Sequence, residues 1–326
     1  MDPLFVVFTK HSDYAWVHTE ELQNYTNVIF DKKINNKLLA MANRLHTAIR
    51  TNKYFRIPLQ KIWFKCYLDN EKIKNYKEIY FLFIEGNRLG YSPEYLKYIK
   101  KEYPNAKLVF DFTNPTKKID SKYIELIKKY YDLILSFDLS DCKEFGWTYY
   151  SGVYSKRNDL DLSDVPDSDV FFVGSDKGRI DIIHEIYDLL TDHGLKCDFH
   201  VVDVHKSKIR KNSCIQYNKR LSYEEVIKRV CKTKCILEVT QSNQTGSSLR
   251  VMEAIAYGKK LLTSNKALEQ ERFYNKNQMY IFDKPSDINI EFLINNEEQF
   301  EYDGCLSPYK RLEFIQNYFR KREGES

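Results

Sequence analysis

Glycine and proline are scarce in this chain, at 11 and 8 of 326 residues. That excludes a collagenous or low-complexity protein. The seven cysteines are odd in number and scattered, which argues for reduced thiols rather than a disulfide framework. Cys231 and Cys235 stand four apart with no histidine or second cysteine pair nearby, and no HExxH spacing occurs among the histidines. No metal site is expected. Long apolar runs are missing as well. The first, at residues 4–8, is too short for a signal peptide and lacks a basic stretch before it. Nothing approaches the roughly 20 apolar residues of a membrane span. A cytoplasmic protein is expected, at most touching the inner face of the cell membrane.

What is present fits a globular enzyme of two domains. Hydrophobic residues make up 43% and charged residues 30% of the chain, with a formal net charge of +5. That charge is mild for a protein living on nucleic acid, and no nucleic-acid partner is expected. It suits phosphates or an anionic membrane surface. Short apolar runs at 4–8, 79–84, 107–112 and 133–137 alternate with helical patterns at 35–50, 92–103 and 122–131. In the 35–50 segment Leu38, Leu39, Ala42, Leu45 and Ile49 share a helical stripe. Strands apolar on both faces belong in a parallel sheet. Polar residues at their carboxyl ends are then the pocket candidates: His11, Asp13, Glu85, Asn87, Asp111 and Asp138. Residues 151–168, rich in Ser and Asp, read as a linker. A second α/β series follows, with strands at 169–173, 197–202, 235–239 and 260–263. The expected domains are 1–160 and 161–307, with a closing helix at 308–326 that packs back on the first domain.

The sharpest feature is EVTQSNQTGSSLRVMEAIAYGKKLLT, residues 238–263. A buried strand runs into a polar loop, and Ser247 and Ser248 can cap the helix that follows. The amides of Gly246, Ser247 and Ser248 and the helix dipole suit a phosphate. Arg250 adds a bidentate donor. Glu253, three residues on, can accept from ribose hydroxyls or simply pair with Arg250. The second feature is FFVGSDKGR, residues 171–179: a strand, a turn through Gly174 and a helix start. It lacks the spacing of a P-loop. Lys177 and Arg179 are its cationic candidates.

These residues resemble the GT-B fold glycosyltransferases, in particular those of lipopolysaccharide and capsular polysaccharide biosynthesis. The resembling parts are Thr245 to Ser248, Glu253-Ala254, Gly258 to Thr263, and 171–179. The resemblance implies two Rossmann-like α/β domains facing across a cleft, an acceptor-binding first domain and a donor-binding second one. It implies transfer of a sugar, galactose or galactofuranose among them, from a nucleotide-diphosphate-sugar, with a UDP-sugar the expected donor, to a saccharide or lipid-linked acceptor. By the same resemblance Glu253 holds the ribose. Gly174, Lys177, Arg179, Gln244, Thr245, Gly246, Ser247, Ser248 and Arg250 surround the donor. The family's Glu-Gly-Phe-Gly-like loop is replaced here by residues 241–246.

Such enzymes usually neutralise the leaving diphosphate with helix dipoles and basic side chains, without a metal. Arg250 is the catalytic cation expected. An inverting transfer also needs a general base, for which Asp13 and then Glu85 are the candidates. Between Lys32 and Leu68 there are basic and aromatic residues and no Asp or Glu. That run suits an anionic lipid surface. The rival readings are another nucleotide-sugar enzyme such as an epimerase, which would need no acceptor, and a non-enzymatic polyanion-binding protein, which would consume no donor.

Overall fold

The computed structural model describes residues 2–9, 15–47, 59–114, 116, 119–240, 246–295 and 300–324. The chain divides into two units. One comprises Met1–Ser151 with Arg311–Ser326, and the other Gly152–Lys310.

In the first unit six parallel strands form one sheet in the order β2-β1-β3-β4-β5-β6. They are β1 (Leu4–Phe8), β2 (Val28–Phe30), β3 (Ile79–Ile84), β4 (Lys107–Phe112), β5 (Leu133–Ser136) and β6 (Thr148–Tyr149). Every residue of LFVVF and IYFLFI is buried, because helices or loops cover both faces of the sheet. Phe8 stacks on Phe83 with ring centroids 4.3 Å apart. The closing helix, Pro308–Gly324, belongs to this unit from Arg311 onward. Arg311 has no solvent exposure. Its guanidinium meets Asp111 at 2.5 Å, near the end of β4, and donates to the His18 carbonyl at 3.1 Å.

Strands β1, β3, β4 and β5 lie where the apolar runs place them. The helix expected over 35–50 is Lys37–His46, with Asn36 as its cap. Its stripe faces the other way from an ordinary surface helix. Leu38, Met41 and Leu45 are exposed, and Asn43 is the residue buried. Asn43 donates to the Tyr67 hydroxyl at 2.5 Å and accepts from Arg88 at 2.8 Å. A polar anchor thus holds the helix down, and Ile49 lies outside the described residues. The aromatics Trp63, Phe64 and Tyr67 of the basic run are buried in the core rather than displayed.

The second unit also carries six parallel strands, in the order β12-β11-β10-β7-β8-β9. They are β7 (Ser168–Ser175), β8 (Cys197–Val202), β9 (Gln216–Tyr217), β10 (Thr233–Glu238), β11 (Lys260–Thr263) and β12 (Met279–Ile281). This is the doubly wound order of a dinucleotide-binding sheet, and the direction of winding reverses between β7 and β10. Residues 152–165 pack within this unit: Tyr154 is buried and its amide donates to the Leu306 carbonyl at 2.7 Å. The α/β class, with two Rossmann-like units, is as expected.

Gly258 ends the Leu249–Ala256 helix with φ 62°, and the Lys259 amide returns to the Ala254 carbonyl at 2.8 Å. A Cβ at Gly258 would run into the Phe300 carbonyl oxygen. At Gly194, φ 77°, a Cβ would meet nothing within 4 Å. Gly258→Ala should therefore cost on the order of 1–3 kcal/mol, clearly more than Gly194→Ala, which bears the backbone penalty alone. Thermal melting of the two variants checks this; equal losses would contradict it.

Candidate functional site at the carboxyl ends of the strands

In an open α/β sheet ligands bind beyond the carboxyl ends of the strands, where the winding reverses. In the second unit that place lies between β7 and β10. β7 runs into a tight turn in which Lys177 and Gly178 both have positive φ, 45° and 80°. Asp176 caps the next helix, Ile180–Asp192, accepting from the amides of Arg179 at 2.9 Å and Ile180 at 2.8 Å. Lys177 is exposed at the tip of the turn.

Arg179 does not point outward as the sequence reading expects. Its guanidinium folds back and donates to the carbonyls of Asp176, Ser175 and Val239. It thereby ties the end of β7 to the residue after β10. The Asp176 carbonyl also accepts from the Arg179 amide at 2.9 Å. Burial holds the Arg179 pKa below its usual value. In this structure Arg179 braces the strand ends, and a diphosphate contact would require it to leave these carbonyls. Gly174 lies inside the same brace: a Cβ there would come 3.3 Å from the Phe172 ring and 3.5 Å from Arg179 Nη2.

Across the reversal, Ser248 caps the Leu249–Ala256 helix by accepting from the Arg250 amide at 3.1 Å. Ser247 donates to Glu271 at 3.1 Å, and Gly246 is buried beside it. Gln244 and Thr245 lie outside the described residues. Arg250 Nη1 sits 2.6 Å from Glu253 Oε2; the Arg250 side chain is 15% exposed and that of Glu253 0%. Glu253 Oε1 accepts from the Tyr223 hydroxyl at 2.7 Å, and the Tyr154 hydroxyl lies 3.4 Å from that of Tyr223. Burial pushes the Glu253 carboxyl up to about 7, against the pull of Arg250 and Tyr223. Both oxygens are therefore engaged, and a ribose hydroxyl would reach Glu253 by displacing Arg250.

Glu238 is the residue the sequence reading missed. It ends β10, is 4% exposed, and accepts from the Thr263 hydroxyl at 2.5 Å. Burial raises its pKa, while Ser248, Thr263, Arg250 and Arg179 pull the other way. The signal was available: one acid closing the otherwise apolar run Cys235-Ile236-Leu237. Buried Glu238 and Glu253 thus lie at the reversal point, where the partly exposed Arg179 and Arg250 act on Glu238 electrostatically. A diphosphate arriving there would compete with Glu253 for Arg250.

In the first unit most acids read as pocket candidates have structural partners. Glu85 Oε2 accepts from the amides of Thr113 at 2.8 Å and Asn114 at 2.7 Å, and from both their side chains. Those are the contacts of a loop brace, which Glu85 would have to leave to act as a base. Asp111 is held by Arg311, and Asp138 caps the Leu139–Phe145 helix. His11 and Asp13 lie outside the described residues. Asp31, directly after β2, is different. Its amide donates to the Val7 carbonyl at 3.1 Å. Asn87 links the carbonyl of Thr9, at 3.1 Å, to Asp31 Oδ2, at 3.5 Å. That places Asp31 at the ends of β1 and β3, where the first sheet reverses its winding. Burial pushes its carboxyl up to about 6. β2 has three residues, too few to read from an apolar pattern, so Asp31 went unnoticed.

Among the described residues no group of three His, Cys, Asp or Glu side chains is placed to hold a metal ion. Residues 185–300 match the family model described as glycosyl transferase-like. The match covers little more than a third of the chain but most of the second unit, and it includes Glu238, Arg250 and Glu253. The resemblance to glycosyltransferases is borne out over these residues. No curated protein matches the chain. Solved structures similar to it include an α,α-trehalose-phosphate synthase (UDP-forming) from Burkholderia vietnamiensis, 10% identical, covering 90% of this chain and 88% of that one, TM-score 0.47. Another is the E. coli heptosyltransferase WaaC, 12% identical, covering 97% and 100%, TM-score 0.37. A third is described as a UDP-N-acetylglucosamine 2-epimerase from Listeria monocytogenes, 10% identical, covering 98% of each, TM-score 0.46. These likenesses are distant, and the fold assignment rests on the strand order itself.

The Arg250–Glu253 pair generates a pH-dependent prediction. Glu253 has a raised folded-state pKa, so the folded protein binds its proton more tightly than the unfolded chain does. Its ionisation opposes folding above about 7, and that cost fades as the pH falls toward 4.5. Arg250→Gln removes a group that lowers this pKa and leaves a buried carboxylate without its cation. The variant should lose about 3 kcal/mol or more near pH 9, and much less near pH 5.5, where Glu253 is neutral in both proteins. Urea denaturation of variant and wild type at the two pH values measures it. A loss independent of pH would contradict the pairing.

Proposed function

We propose that the chain is a glycosyltransferase. It binds a nucleotide-diphosphate-sugar, a UDP-sugar by preference, at the carboxyl edge of the second sheet. It passes the sugar, such as galactose or galactofuranose, to a saccharide or lipid-linked acceptor of a surface polysaccharide. One observation carries this reading: the glycosyl transferase-like match spans 185–300, and within it Arg250 and Glu253 lie at the point where the winding of the sheet reverses.

On this reading the diphosphate draws Arg250 away from Glu253 and is met also by the amides of Gly246, Ser247 and Ser248. Lys177, exposed on the opposite strand end, adds a positive charge. Gln244 and Thr245 belong to the same loop and keep their proposed donor contacts. Glu253, released by Arg250, accepts from the ribose hydroxyls. As the glycosidic bond breaks, its electron pair passes to the phosphate oxygen, and Arg250 stabilises the growing charge. An inverting transfer also needs a group to take the proton of the acceptor hydroxyl. Asp31 has the raised carboxyl pKa that suits a base near neutral pH; Asp13 stays a second candidate. A lipid-linked acceptor would bring the enzyme to the inner face of the cell membrane.

Calorimetric titration of UDP tests the donor site. Arg250→Gln and Glu253→Gln should each weaken binding by about one to two decades, since a hydrogen bond to a charged group is worth roughly 1.5–3 kcal/mol. Wild-type affinity in a folded Arg250→Gln protein would end the assignment. Released nucleoside diphosphate should accumulate only with acceptor present; donor turnover without acceptor would point to an epimerase or hydrolase instead.

A base role for Asp31 has its own signature in the pH profile. The wild-type rate should rise as Asp31 loses its proton, with a midpoint at about 6. Asp31→Asn should lower the rate by about 10²–10⁴ and abolish that acid limb. An unchanged limb in the variant would exclude Asp31 as the base.

A further inference from the structure

The Lys37–His46 helix shows solvent its apolar side. Leu38, Met41 and Leu45, spaced i, i+3 and i+7, are 79%, 62% and 60% exposed. Lys37 and Arg44 are exposed along one edge of that stripe. The neighbouring segment Gln60–Tyr67 extends the surface. It is fixed to the helix by Trp63 Nε1, 3.0 Å from His46 Nδ1, and by Gln60, which donates to the His46 carbonyl at 3.1 Å. Leu59 and Ile62 beside it are 74% and 59% exposed, and Lys61 and Lys65 are exposed among them. Aliphatic side chains of this size rarely gather on the surface of a monomer without a partner.

The exposure is not a failure of packing. The inward side of the helix is occupied by Asn43, bonded to Tyr67 and Arg88. The polar residue is bound and the apolar ones are left out. No carboxylate lies between Lys32 and Leu68 to balance the cations. A twofold dimer through this face would set like charges against like. An anionic bilayer satisfies both features at once, because acyl chains take the leucines while lipid phosphates meet the lysines and arginine.

We propose that this face is a membrane-insertion surface, in which Leu38, Met41, Leu45, Leu59 and Ile62 enter the headgroup–acyl boundary of an anionic bilayer and Lys37, Arg44, Lys61 and Lys65 bind its phosphates. This goes beyond the sugar-transfer reading and does not depend on it. The aromatics of the same stretch take no part, because Trp63, Phe64 and Tyr67 are in the core.

The test is co-sedimentation of the whole protein with phosphatidylcholine vesicles, with and without phosphatidylglycerol. Wild type should sediment with the anionic vesicles, less so as salt rises. Combined Leu38→Ser, Met41→Ser and Leu45→Ser should cut partitioning at least about tenfold at every salt concentration. Combined Lys37→Gln, Arg44→Gln, Lys61→Gln and Lys65→Gln should cut it at least about tenfold at low salt and flatten the salt dependence. All the altered side chains are exposed, so melting should stay close to wild type, and UDP affinity measured in parallel should not change. Three results would overturn the proposal: wild type that ignores anionic vesicles, serine variants that sediment like wild type, or wild-type self-association that the serine changes abolish while lipid is ignored. Loss of UDP affinity in the residue-250 and residue-253 variants bears on the donor site alone, so the two claims fail separately.

Discussion

Strands buried on both faces leave charge a place at their ends, and in each unit an arginine closes that edge. Arg179 bonds the carbonyls at the ends of β7 and β10 together, and Arg311 is buried against Asp111 near the end of β4. An arginine suits this because its guanidinium carries several donors in a fixed plane and stays charged when buried. Arg250 differs from both in that, among the described residues, its strong partner is the Glu253 carboxylate. It keeps a little exposure, and so can exchange one anion for another. The carboxylate it would leave has a pKa already raised to about 7, so taking up a proton keeps the cost of that exchange low.

The second unit was the more legible of the two in the sequence. Its apolar runs are long enough to mark β7, β8, β10 and β11, and capping serines and Gly258 bound the helix that carries Arg250 and Glu253. Helix spacing could not say which way those side chains turn. It left open an ion pair or a ligand contact, and the structure shows the ion pair in the free protein. The inward turn of Arg179 is not legible in sequence, because its position, at a helix start after a turn, is the same whether the side chain reaches outward or folds back. The strand-end carbonyls of Ser175 and Val239 decide that, and they come together only once the sheet is formed.

The first unit shows where periodicity misleads. The stripe Leu38, Leu39, Ala42, Leu45 is real, yet it faces solvent, because Asn43 finds buried partners in Tyr67 and Arg88, far along the chain. Tertiary hydrogen bonds of that kind leave no local signature. Asp31 escaped for a related reason: its strand is three residues long, and its raised pKa arises from burial beside Thr9 and Asn87. Glu85, prominent in sequence at the end of a long apolar run, proves to brace residues 113 and 114.

On the proposed function, Arg250 trades Glu253 for a diphosphate. A crystal structure of the protein with UDP bound tests it directly. The diphosphate should lie at the amides of Gly246, Ser247 and Ser248, with the Arg250 guanidinium turned onto a phosphate oxygen and Glu253 within hydrogen-bond reach of the ribose. UDP bound elsewhere, or bound there with Arg250 still paired to Glu253, would contradict it.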